Sequence, residues 1–199
     1  MSRSVTKVVF VFAILYCGLM ASSPTVAQVS GKEPPFMISN QTATLACDGE
    51  ARIRGSNNEL TIIGDCSSLD LGGSNNKVTA TLACDGDKAA ISGSNNALTL
   101  PGKCSEFDVT GANNRITGAL DCAGGRATIR GSNNDVTLTG KCSKLDLGGS
   151  VNKITIDFES AATVNISGSV NAIVWTSADG NPPIINNVGS QNKLTQREQ

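Results

Sequence analysis

Three aspartates, six cysteines and eight asparagines recur at spacings that could support chemistry. The aspartates sit in matching segments, Leu69-Asp70-Leu71, Phe107-Asp108-Val109 and Leu145-Asp146-Leu147. They belong to one recurring position that reads Arg52, Asp70, Ala90, Asp108, Thr128, Asp146 and Asn165. If successive copies stack as strands, neighbouring aspartates lie two rungs apart, roughly 9–10 Å. An inverting glycosidase sets its two carboxyl groups about 6.5–9.5 Å apart, so Asp70, Asp108 and Asp146 are weak catalytic candidates. The chemistry around them is thin: there is no His, aromatics are few, and no long insertion could build a cleft. Alternating charged with neutral residues also avoids like charges on adjacent strands, and that plainer explanation is the one adopted.

The cysteines recur as Cys47, Cys66, Cys84, Cys104, Cys122 and Cys142, once per repeat. Stacked positions about 4.8 Å apart are within reach of a disulfide. A 38-residue unit pairs them as Cys47–Cys66, Cys84–Cys104 and Cys122–Cys142. The other neighbouring register, Cys66–Cys84 and Cys104–Cys122, would strand the two end cysteines, and a ladder of buried thiols is the third arrangement open. Single cysteines far apart in sequence, without His, do not make a metal site, so no metal and no cofactor is expected.

The asparagines close a repeated turn. Gly55-Ser56-Asn57-Asn58 returns at 73–76, 93–96 and 131–134, as Gly111-Ala112-Asn113-Asn114 at 111–114, and in weaker copies at 149–152, 168–171 and 189–192. Its last residue is Asn58, Asn76, Asn96, Asn114, Asn134, Asn152, Asn171 and Asn192 in turn. The Gly suits a positive φ, and Asn tolerates the left-handed region while its amide bonds locally. Stacked amides can donate from rung to rung, a structural asparagine ladder. Calcium binding by these amides is set aside, because calcium favours carboxylates and the glycine/aspartate nonapeptide of calcium-binding β-rolls is missing.

The elements that must carry these residues follow from periodicity. After each turn apolar and polar residues alternate, as in Leu60-Thr61-Ile62, and a second short strand precedes each turn. No segment shows a 3.6-residue period, so helix is not expected. Repeats of 18–21 residues built this way predict an all-β, single-domain parallel β-solenoid (β-helix) of about eight coils of 18–20 residues. One interior column reads Ile62, Ala80, Leu100, Gly118, Leu138 and Ile156; the next reads Gly64, Leu82, Gly102, Leu120 and Gly140. Large faces small from coil to coil, which fills a constant cross-section. Thr61, Thr79, Thr99, Thr117, Thr137 and Thr155 form an outward column. Ice-binding solenoids usually show two threonines per coil, so this single column is read as ordinary exposed strand.

The domain plan is a signal peptide at 1–27, a linker at 28–37, solenoid coils at 38–157, and final irregular coils with a C-terminal cap at 158–199. Arg3 and Lys7 precede an apolar run, Val8 to Leu19, too short to span a bilayer comfortably, and Thr25-Val26-Ala27 offers a cleavage point. Cleavage removes Cys17, leaves an even number of cysteines, and moves the net charge from −1 to −3. Together these favour a periplasmic or secreted protein with disulfides, whose mature form does not span the membrane. The charge balance argues against nucleic acid as a partner. Trp175 and Pro182-Pro183 fall where the open end of a solenoid needs covering.

The motif GSNN-x-(V/L)-T followed by G-x-C, behind an export signal, resembles the bacterial family called domain of unknown function 3060, over about residues 38–195. That resemblance implies an exported β-solenoid without an assigned activity, and it brings no catalytic residues with it. The expected function is a non-enzymatic structural or binding protein of the cell envelope, with an envelope glycan or protein as candidate partner. A polysaccharide lyase or hydrolase on the same scaffold is the alternative.

Overall fold

Short alternating segments with a Gly/Asn corner every 18–21 residues can bury their apolar sides only against copies of themselves, and this is how the chain folds. The computed structural model describes residues 26–30, 35–82, 88–102, 104–120 and 125–198. Among them there is no helix. The strands are β1 (Val26–Ser30), β2 (Phe36–Met37), β3 (Thr42–Arg54), β4 (Glu59–Ser74), β5 (Lys77–Leu82), β6 (Lys88–Ser94), β7 (Ala97–Gly102) and β8 (Glu106–Ala112). They continue as β9 (Arg115–Leu120), β10 (Arg126–Ser132), β11 (Asp135–Ser150), β12 (Lys153–Ile166), β13 (Ala172–Ser177), β14 (Ile184–Asn187) and β15 (Lys193–Gln196).

Every pairing is parallel, and the register advances by one coil. The chain is a parallel β-solenoid of about eight coils. The segments that follow each GSNN corner stack on one face of the rod: the first halves of β3, β4, β11 and β12, with β5, β7, β9, β13 and β15. The segments that precede it stack on the other: β6, β8, β10 and β14 with the second halves of β3, β4, β11 and β12. We call these the post-turn and pre-turn sheets.

The interior is a set of straight columns. Ile62, Ala80, Leu100, Leu138 and Ile156 are all buried, as the alternation requires. Each fully buried Leu or Ile contributes about 1.5–3 kcal/mol against its exposure in the unfolded chain. In the neighbouring column Leu82 and Leu120 stand in register with Gly102, although their side chains lie outside the described residues. Gly64 departs from expectation. Both Ile63 and Gly64 face solvent, so the two-residue alternation stops where the coil bends. Gly64 has φ +104°, and a Cβ there would meet the Cys47 carbonyl oxygen at 2.4 Å. The strand resumes with Cys66 buried.

Cys47 and Cys66 form a disulfide between consecutive coils, with Cα atoms 5.3 Å apart. Cys104 and Cys142 are buried as well, while Cys66 itself stands in register with Leu82 of the next coil. Cys84 and Cys122 lie outside the described residues, and with them the pairs Cys84–Cys104 and Cys122–Cys142. The cysteine column passes to Phe158, which pairs with Cys142 and is buried. Trp175 continues the Ile156 column inside the rod, so it is core in the penultimate coil and not part of a lid over its end. The residues over it are β14 and β15, largely exposed. Before the coils, β1 lies parallel to β3 and β2 pairs with Ile53 and Arg54, so part of the 28–37 lead-in is strand.

Candidate functional site

The corner comes first, because it positions both sheets. Its four residues have separate tasks. The Gly takes a backbone that a side chain cannot share: Gly93 has φ +119°, and a Cβ would fall 1.9 Å from the carbonyl oxygen of Gly73 below it. The first Asn is the one in the left-handed region, with Asn57 at φ 60° and Asn75 at φ 57°. Where that residue drifts to Val151, Val170 or Gln191, the backbone keeps the same φ, at 60°, 61° and 55°. The second Asn is not left-handed. It is buried from Asn58 to Asn171 and half-buried at Asn192, and it carries the ladder.

Each buried amide donates from Nδ2 to Oδ1 of the next: Asn58 to Asn76 at 2.9 Å, Asn76 to Asn96 at 3.1 Å, and Asn96 to Asn114 at 3.1 Å. The series runs on through Asn134, Asn152 and Asn171 to Asn192. The same Nδ2 also donates to a Gly carbonyl of the preceding coil, as from Asn96 to Gly73 at 3.0 Å. Each Oδ1 accepts a second bond from the backbone N–H of the Asn before it, as from Asn96 to Asn114 at 3.0 Å. From Asn76 to Asn192 all polar capacity of these amides is thus spent within the corner. The ladder ends are closed too: Gln41 N–H donates to Asn58 Oδ1, and Asn192 Nδ2 donates to Asn187 Oδ1 at 3.0 Å.

The aspartate column lies on the pre-turn sheet. Its register is Arg52, Asp70, Ala90, Asp108, Thr128, Asp146, Asn165 and finally Asn186. The three carboxylates therefore share one line but never touch, each separated from the next by a neutral coil. Every one has its own cation. Asp70 is clamped by the Arg54 guanidinium, which also donates to the Asp70 carbonyl at 3.0 Å. Asp108 takes Lys88 at 3.1 Å, and Lys88 also reaches Glu106 at 3.5 Å. The other oxygen of Asp108, Oδ1, is buried without a hydrogen-bond partner among the described residues. Asp146 has Lys144 at 3.3 Å and Arg126 at 3.7 Å, and it accepts from Asn165 Nδ2 at 2.6 Å. Burial alone would raise the Asp146 pKa. The Asn165 amide, Lys144 and Arg126 outweigh it and hold the carboxyl below the ordinary aspartate range.

This electrostatics bears directly on catalysis. A glycosidase needs one carboxyl held protonated as the acid and another held ionised. Asp146 is pushed towards ionisation, and Asp70 and Asp108 each face a cation. Among the described residues no three Cys, Asp or Glu side chains gather as a metal cluster, and no helix is long and apolar enough to cross a membrane.

Beside Asp146 the surface opens into a groove of about 510 Å³, lined among others by Arg130, Gly148, Asn165, Ser167 and Asn186. Asn186 Nδ2 donates to Asn165 Oδ1 at 2.9 Å and so extends the polar line beyond Asp146. Sequence reasoning had the column but not the groove. Its signal was present in the second copy of Leu-Asp-Leu-Gly-Gly-Ser, at 145–150 after 69–74, where an outward Gly leaves a gap between side chains.

A family described as "Protein of unknown function (DUF3060)" matches residues 53–83, 91–119 and 129–191, more than half of the chain. No curated protein and no solved structure matches it.

Proposed function

The chain belongs to the DUF3060 family, and we propose that it acts as a rigid, non-enzymatic structural or binding protein of the cell envelope. The observation that carries this reading is the unbroken amide ladder from Asn58 to Asn192. A corner bonded through every coil makes a stiff rod with flat sides, suited to presenting a surface. Asp70, Asp108 and Asp146 each pair with their own cation, and a neutral coil separates each from the next, so no two of these carboxyl groups are set against one another. Export guided by residues 1–27, to the periplasm or outside the cell, fits the Cys47–Cys66 disulfide, since such bonds persist in oxidising compartments. An envelope glycan or protein is the proposed partner.

An array of envelope glycans and cell-wall polymers, probed with the purified exported protein and assayed in parallel for cleavage, tests the reading. Retention of one polymer class without cleavage is the expected result. Release of fragments, lost on mutation of Asp146, would establish the enzyme instead.

A further inference from the structure

Two coils of the pre-turn sheet carry the same motif and reach different ends. In the first copy Arg54 stands in register with Gly72, and in the second Arg130 stands in register with Gly148. Each Gly follows its own Leu-Asp-Leu, with Asp70 in one and Asp146 in the other. Arg54 folds down over Gly72, where a Cβ would meet its Cδ at 2.8 Å, and its guanidinium is spent on Asp70. Arg130 does not close in this way. Asp146 is already taken by Asn165, Lys144 and Arg126, and among the described residues the exposed Arg130 guanidinium has no hydrogen-bond or ion-pair partner. The space that Arg54 fills in the first copy is the groove in the second.

The charge count points the same way. Around the first copy, Arg52 and Arg54 balance Glu50 and Asp70; in the middle of the sheet, Glu106 and Asp108 outnumber Lys88. Around the second copy, Arg126, Arg130 and Lys144 surround Asp146, with Glu106 in register with Arg126 on the preceding coil. The groove itself is lined by one cation, Arg130, and one anion, Asp146, whose charge Lys144 and Arg126 already offset, so Arg130 is left as its uncompensated charge. A guanidinium with all its donors open is suited to two parallel bonds with a carboxylate or phosphate oxygen pair. Beyond it, Ser167 and Asn186 line the groove with groups that can pair with hydroxyls.

We propose that the groove over Gly148 binds an acidic saccharide, with its anionic group on Arg130 and its hydroxyls along Ser167 and Asn186. This rests on the glycan-binding reading above and names the ligand class and the site. The step is binding only; no bond in the ligand is made or broken.

Calorimetry at low salt with oligogalacturonate is the test, with its methyl ester as the neutral control and inorganic phosphate as the bare anion. The parent protein should bind oligogalacturonate and lose that binding as salt is raised. Arg130→Gln should weaken it by roughly tenfold or more, Ser167→Asp similarly, and Arg54→Gln should leave it unchanged. Because Arg130 is exposed, its replacement is not expected to disturb folding; thermal melting checks this. Equal binding of acid and methyl ester, equal loss in the Arg54 and Arg130 variants, or binding of phosphate as tight as of the oligomer would overturn the proposal. If a polymer from the array is held equally by the parent and Arg130→Gln, the site is wrong while glycan binding stands. If neither the array nor oligogalacturonate shows binding, both fall together.

Discussion

The GSNN corner and the outward side of the pre-turn sheet climb the same rod by the same steps. The corner places Gly and a buried Asn in every coil, while the sheet places Asp, Ala, Asp, Thr, Asp and Asn at one position in succession. The difference lies in what each residue's neighbour in the next coil demands. At the corner a Gly has the carbonyl of another Gly against it, and an amide has an amide above and below, so one substitution injures two or three coils. On the sheet, side chains meet solvent and loosely placed ion pairs, and each coil is free to vary. A binding site can evolve on the second surface and not on the first.

Gly93→Ala tests this contrast most harshly. The added methyl would overlap the Gly73 carbonyl on a backbone already at φ +119°, and the coils would have to part. A loss above about 4 kcal/mol, or failure to fold, is expected in denaturant unfolding. Asn96→Ala comes next. It removes two donated bonds and also strands the Asn76 N–H and Nδ2, which both point at the lost Oδ1. About 3 kcal/mol should be lost; a variant that melts like its parent would mean the ladder is ornament.

The third test reverses the sign. Val151 is a β-branched residue held at φ 60°, where the preceding coil has Asn133 at φ 56° and the next has Val170 at φ 61°. Val151→Asn should raise stability by about 1 kcal/mol, chiefly through relief of that strain. The smallest effect belongs to the sheet. Asp146→Asn should change stability by no more than about 0.5 kcal/mol at pH 7, the size of a partly exposed ion pair. Because the folded carboxyl titrates below its unfolded value, its contribution is complete above about pH 4 and fades only as pH falls through the lower folded value. A loss from Asp146→Asn as large as that from Asn96→Ala would erase the distinction between corner and sheet.

Much of the corner was legible from residue types alone, because an invariant Gly and Asn at one spacing admit few geometries. The division between the two asparagines was not. Both can occupy left-handed backbone, and only stacking decides which one turns inward. The interior columns were readable as far as the alternation held. It failed at Gly64, since a bend in the chain resets the two-residue count, and the Gly that permits the bend, at φ +104°, reads in sequence as the small member of an interior column. Trp175 reads as a lid because a large aromatic near the end of a repeat suggests one, but it follows the Ile156 column inward. The groove was out of reach for another reason. Arg54 and Arg130 occupy identical motifs, and their fates differ through Lys144, Asn165 and Arg126, contributed by three different coils.

The amide series also has a direction. Every amide-to-amide bond of the ladder runs from Nδ2 to the Oδ1 of the later coil, and Asn187 Oδ1 accepts from the last Nδ2, that of Asn192, within that residue's own coil. A further coil, whether from another molecule or from a duplicated repeat, would have to offer the Oδ1 that Asn187 already offers. The rod therefore carries its own stop mark, and head-to-tail growth through this corner would begin by displacing one asparagine.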